Sequence, residues 1–182
     1  MIENTALFGA AFDTLTKQIE QLGFDGVLYS FHPKPVYMNT KIQPVLQYSD
    51  SLSSFVAHYL KNNYGNKSFI TRLAMAGRRD PIDWWEEENA GNLSQSEGDV
   101  IRDAKHNFDI HNALAIPVLV SSFAIAGVSV MSMSEDRGHF KKLKSQSLEP
   151  LKDYASNYHT QIIMSREEMR FFIEPLLARL ND

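Results

Sequence analysis

Apolar positions near the start of the chain repeat with a helical period. Leu7, Phe8, Ala11, Phe12, Leu15, Ile19 and Leu22 fall on one stripe, which Gly23 ends because glycine readily takes the left-handed cap conformation. The pattern then changes, since Gly26-Val27-Leu28-Tyr29-Ser30-Phe31 is β-prone and His32-Pro33-Lys34-Pro35 stops it by removing ladder donors. Leu52, Phe55, Val56, Tyr59 and Leu60 return to helical spacing and predict a short helix over 52–61, broken by Asn62-Asn63 and Tyr64-Gly65-Asn66.

Ser94-Gln95-Ser96-Glu97 is a capping box, in which Ser94 accepts an orphan N–H and Glu97 reaches back; Val100, Ile101, Ala104 and Phe108 continue its helix. Two β-prone runs, 113–120 and 125–133, flank Ser121-Ser122-Phe123-Ala124 and read as a hairpin, with Pro117 placing the first run at an edge or a bulge. Beyond Asp136-Arg137-Gly138, Leu148, Leu151, Ala155, Tyr158 and Ile162 mark a long helix. Met169, Phe172, Ile173, Leu176, Leu177 and Leu180 mark another amphipathic stretch. Strands flanked by helices at both ends predict an α+β fold, an α-β-α sandwich with a central antiparallel sheet, whose two faces can differ, one closed as core and the other open around a ligand.

The chain has 182 residues, 43% of them hydrophobic, enough for one domain with a sizeable core. Eighteen Lys and Arg against 22 Asp and Glu give a net charge of −4, too acidic for a surface that grips phosphates all over. With no Cys there is no disulfide framework, thiolate zinc site or Cys nucleophile. The N-terminus Met1-Ile2-Glu3-Asn4 lacks a basic region and the apolar run 113–120 is far short of a membrane span, so a soluble cytoplasmic protein is expected.

Motifs of catalysis are sparse. There is no phosphate-binding glycine loop, and Gly127-Val128-Ser129-Val130-Met131 lacks the second glycine of a nucleophile elbow. The six histidines never form the His-Glu-x-x-His pair, so structural or surface roles are expected and no metal or cofactor is implied. Glu86-Glu87-Glu88 reads as a solvated acidic run and Lys141-Lys142-Leu143-Lys144 as its basic counterpart. Aromatics with polar tips are more informative in combination than singly: Tyr59 on the short helix, and Trp84 and Trp85 after Asp80-Pro81.

Several ordered segments carry a resemblance: Leu22-Gly23-Phe24-Asp25, Phe55-x-x-x-Tyr59, Asp80-Pro81-Ile82-Asp83-Trp84, Leu93-Ser94 opening a helix, 108–117 with its Leu-Ala-Ile-Pro, and 127–132. Together, over about residues 8–165, they resemble the autoinducer-binding domain of LuxR-type quorum-sensing transcription regulators. The resemblance implies an α-β-α sandwich that binds an acyl-homoserine lactone between the sheet and one helical layer. By position, Tyr59 matches the tyrosine that bonds an acyl carbonyl, Trp84 the tryptophan that packs on the lactone ring, and Ser129 a strand hydroxyl at the ligand's polar middle, with Trp85 beside them. Four positions depart from the pattern. Phe55 replaces a tryptophan whose N–H donates to the lactone carbonyl, and Ser68-Phe69 replaces an aspartate and proline. Ala113 replaces a glycine, and Asp109 stands in part for another. Losing the aspartate's charge-assisted bond and the indole donor implies about 10²–10⁴-fold weaker binding of a standard lactone, so a different ligand is expected.

The expected function is a small-molecule sensor domain, not an enzyme, with Phe55, Tyr59, Ser68, Trp84, Trp85, Ala113 and Ser129 at the ligand. The alternative is a ligand-independent domain that pairs with a full-length regulator and inhibits it. Residues 1–165 are read as the sensing domain and 166–182 as a C-terminal helix, linker or the start of a helix-turn-helix. DNA contact is expected only through such a module, absent here, which fits a truncated regulator or a natural stand-alone domain. A homodimer through the C-terminal apolar stretch is also expected, because that stretch has little remaining core to cover it.

Overall fold

The computed structural model describes residues 9–34 and 44–164. Leu7 and Phe8 of the first stripe, the segment 35–43 and the apolar stretch 169–180 lie outside the described residues.

Helix α1, Gly9–Leu22, buries Phe12, Leu15 and Ile19, and Gly23 ends it at φ 101°. Strand β1, Gly26–Pro33, follows directly and runs two residues beyond the expected stop. Pro33 is tolerated because it is the terminal strand residue, opposite Ala124. Strand β2, Val45–Tyr48, leads through a single 3-10 turn at Asp50–Leu52 into α2, Ser53–Lys61. A second 3-10 turn, Tyr64–Lys67, precedes α3, Phe69–Met75; strand β3, Ile82–Asp83, runs straight into α4, Trp84–Asn89. The capping box opens α5, Gln95–Phe108, with both reciprocal bonds formed. Strands β4, Asn112–Val120, and β5, Ala124–Ser132, make the expected hairpin, and α6, Arg137–Met164, completes the described fold.

The five strands form one antiparallel sheet in the order β2-β1-β5-β4-β3. The register shifts between Pro117 and Leu119, beyond the short stretch where β3 pairs with Leu114 and Ala115, so Pro117 lies at a bulge where no outer ladder needs its missing N–H. The sheet is covered on both faces, as an α-β-α sandwich requires. Strand alternation sends Val27, Tyr29, Leu114, Ile116, Val128 and Val130 into a core with α1 and α6. Leu46, Ala113, Ala115 and Met131 meet Phe55, Val56, Phe69, Trp84 and Ile101 on the opposite face.

Helix α6 begins earlier than its apolar stripe suggests because the Asp136 carboxylate accepts the backbone N–H groups of Gly138 and His139, at 2.8 and 3.0 Å. From there Phe140, Leu143, Leu151, Ala155, Tyr158 and Ile162 stay buried against the sheet.

Candidate functional site

On the face away from α1 and α6 the layers do not close. A cavity of about 670 Å³ opens between β1, β2 and β5 below and α2, α3 and the start of α4 and α5 above. Its size suits a small amphiphile. Along β1 the period-two alternation points Leu28, Ser30 and His32 to this side, and Ser129 of β5 lies opposite Leu28. Helix α2 presents Phe55 and Tyr59 one turn apart, their rings 5.8 Å between centroids in an edge contact.

Trp84 owes its position to the two residues before it. Ile82 and Asp83 pair with Ala115 and Leu114, and the Asp83 carboxylate then accepts the N–H of Trp85 at 2.8 Å and turns the chain into α4. The Trp84 ring is buried edge-on to Phe69, and its indole N–H has no hydrogen-bond partner. Ser68 caps α3 by accepting the Thr71 N–H at 3.2 Å.

Five of the expected site residues, Phe55, Tyr59, Ser68, Trp84 and Ser129, line this one cavity although they come from separate parts of the chain. Two do not. Trp85 points away and lies between two cations, Lys105 Nζ at 3.7 Å and Arg137 at 3.8 Å from its ring centre, while its N–H donates to Asn112 Oδ1 at 2.6 Å. Consecutive residues at a helix start diverge by about 100°, so Trp84 and Trp85 cannot share a face. Ala113 is fully buried on the cavity side of β4 but packs under the roof beside Met131 rather than lining the space.

Ser30, His32, Lys67 and Thr71 also line the cavity and were not singled out in the sequence. For Ser30 the signal was present, since it alternates with Leu28 on a predicted strand, whereas His32 falls in the segment expected to stop that strand. Burial pushes the Tyr59 phenol above its ordinary range, offset in part by the Ser68 hydroxyl, so Tyr59 is a donor at neutral pH. Burial lowers His32 to about 4 and leaves it neutral.

The acidic run is less solvated than its composition suggests. Glu86 does meet the basic run, through Lys144 at 2.5 Å. Glu87, however, is buried and takes Arg78 at 3.2 Å and the Asn92 amide at 3.0 Å, and Glu88 pairs with Lys105 at 3.0 Å. These contacts, with Lys144 to Asp83 at 2.8 Å, tie α4 to its neighbours rather than to a ligand. Among the described residues no group of three His, Asp or Glu is placed to hold a metal ion, and no helix is long and apolar enough to cross a membrane.

An antiparallel sheet covered by helices on both faces, with a cavity beneath one helical layer, makes this an α-β-α sandwich with room for a small molecule. The family model for the autoinducer binding domain matches residues 9–158, and the chain belongs to that family. Among solved structures, it is similar to CepR2 from Burkholderia cenocepacia, an N-acylhomoserine lactone dependent LuxR family transcription factor. That likeness has a TM-score of 0.61 and 17% identity over 87% of this chain and 88% of that one. SdiA in complex with octanoyl-rac-glycerol aligns with a TM-score of 0.55 and 12% identity, over 82% of this chain and 61% of that one. The VqsR ligand-binding domain from Pseudomonas aeruginosa gives 0.54 and 11%, over 84% and 92%. At these identities the likeness is one of fold. No curated protein sequence matches the chain.

Proposed function

We propose that this domain is a signal sensor of a LuxR-type quorum-sensing regulator, binding an acyl-homoserine lactone or a related amphiphile in the cavity between the sheet and α2–α5. One observation carries the reading: residues far apart in sequence, Tyr59, Trp84 and Ser129, share the wall of a single cavity whose remaining surface is largely apolar. An acyl tail fits against Leu28, Leu46, Val56 and Met131, and the Tyr59 hydroxyl and Ser129 supply hydrogen bonds to a polar head over the Trp84 ring. Phe55 and Ser68 shape the head-group end.

The reading is supported by the family, and by two structural relatives whose descriptions name an acyl-homoserine lactone dependence and an octanoyl glycerol complex. The domain binds rather than catalyses on this account, acts in the cytoplasm, pairs with a second copy, and reaches DNA through a separate helix-turn-helix module. Native mass spectrometry of the protein expressed with and without candidate acyl signals tests the proposal: a retained ligand of matching mass supports it, and protein that stays ligand-free throughout contradicts it.

A further inference from the structure

The polar lining narrows the choice of head group. None of the described residues lining the cavity is Asp or Glu. Two carboxylates behind the roof are already engaged. Asp83 caps α4 and pairs with Lys144, and Asp103 accepts the Tyr64 hydroxyl at 2.9 Å and meets His58 Nε2 at 2.7 Å. At Ser68 itself one acceptor position is spent on the Thr71 N–H.

Donors, by contrast, are in surplus. Burial keeps the Tyr59 hydroxyl protonated beside that of Ser68, the buried Trp84 N–H lacks a partner, and Lys67 brings an ammonium to the rim whose described contact is the Tyr64 ring at 5.5 Å. Among the described lining residues a ligand amide N–H would meet only uncharged side-chain acceptors: hydroxyl and side-chain amide oxygens and the neutral His32 imidazole. A carbonyl or carboxylate oxygen meets several donors, one of them charged, and charge-assisted bonds are roughly twice as strong as neutral ones.

Resting on the reading that the cavity holds an acyl signal, we infer that the preferred ligand is an acyl compound whose head offers acceptor oxygens and no amide N–H, a fatty acid or an acyl ester rather than an N-acyl amide. Ser68 is the residue that sets this preference, and Lys67 separates the acid from the ester.

Equilibrium titration of the full chain at pH 7 with three probes of equal acyl length, octanoate, octanoylglycerol and N-octanoyl homoserine lactone, tests it. Octanoate or octanoylglycerol should bind more tightly than the lactone, by a factor on the order of ten. If octanoate leads, Lys67→Gln should weaken it and leave octanoylglycerol unchanged; if octanoylglycerol leads, the ester is the ligand. Ser68→Asp keeps a good helix cap and should move the order toward the lactone, strengthening it and weakening octanoate by about tenfold each. A lactone that binds the unmodified protein as tightly as either other probe overturns the head-group assignment while leaving the cavity's role intact. Binding of none of the three overturns the sensor reading itself.

Discussion

Leu52 lies directly against Gly26, so that a Cβ at residue 26 would sit 2.7 Å from Leu52 Cδ2 and 2.8 Å from its Cγ. The contact joins the start of β1 to the turn that launches α2, and Leu52 is fully buried. Through it the sheet floor and the helix bearing Phe55 and Tyr59 are held at a fixed spacing. Gly26→Ala should therefore destabilise the fold by about 1–3 kcal/mol through overpacking, read by urea unfolding. Combining it with Leu52→Ala should cost less than the sum of the two single changes. Strict additivity would show that the two positions do not press on one another.

Asp109 ends α5 in the left-handed region at φ 53°, with the Ile110 N–H reaching back to the Ala104 carbonyl at 3.1 Å. This accounts for the expected glycine in part replaced there: the backbone calls for glycine, and Asp is among the residues that tolerate the strain. Asp109→Gly should raise stability by up to about 1 kcal/mol in thermal unfolding, and a loss would mean that the carboxylate contributes more than the backbone strain costs.

The legible parts of the fold were those with enough length to show a period. Helix α1 repeats its apolar face over 14 residues, and α5 adds a capping box. Strand β2 has four residues and β3 two, and β3 exists because Ala115 and Leu114 pair with it. Such pairing is a tertiary fact with no local signature. Helices α3 and α4 span seven and six residues, under two turns, too short to show a period, and the sequence reading predicts neither. Asp83 with Glu86 three residues on has the same form as Ser94 with Glu97, yet Glu86 turns to Lys144 instead of back to its cap. The family pattern is what singles out Tyr59, Trp84 and Ser129, which line the cavity. Trp85 was misplaced because adjacency in sequence says nothing of which way a helix start turns.

Two histidines, His159 buried and His32 half-buried, predict an acid-sensitive fold. Tyr29 and His159 Nδ1 are hydrogen-bonded at 2.9 Å under α6; burial lowers His159, and lowers His32 to about 4. The unfolded chain takes up these protons near pH 6.5, before the folded chain does, so stability is full above about 6.5 and declines as pH falls toward 4. For His32 the decline is at most about 1.4 kcal/mol per pH unit, and His159 adds to it in the same direction. Urea unfolding between pH 7 and 5.5, above the range where Glu97 and Asp103 titrate, should show the decline. His159→Gln should flatten it. An unchanged slope in that variant would assign the acid sensitivity to other groups.

At the far end of α6, Ile163 and Met164 are solvent-exposed, with Met164 at 80%. They adjoin a stretch whose sequence is rich in apolar residues from Met169 to Leu180. Exposed apolar residues at a helix end favour a symmetric partner. Sedimentation velocity should give a dimer for the whole chain and a monomer for a version ending at Ser165; a monomer in both would remove the dimer from the account.

The chain's two tryptophans provide the most direct measurement of where a ligand goes, because Trp84 lines the cavity and Trp85 lies outside it between Lys105 and Arg137. Fluorescence titration of Trp85→Phe, which leaves Trp84 as the sole indole, should give a saturable change with an eight-carbon acyl probe. Adding Tyr59→Phe should shift its midpoint by about three- to tenfold, the worth of one neutral hydrogen bond. A silent Trp85→Phe protein beside a saturable response from Trp84→Phe would place the ligand away from the cavity and contradict the account.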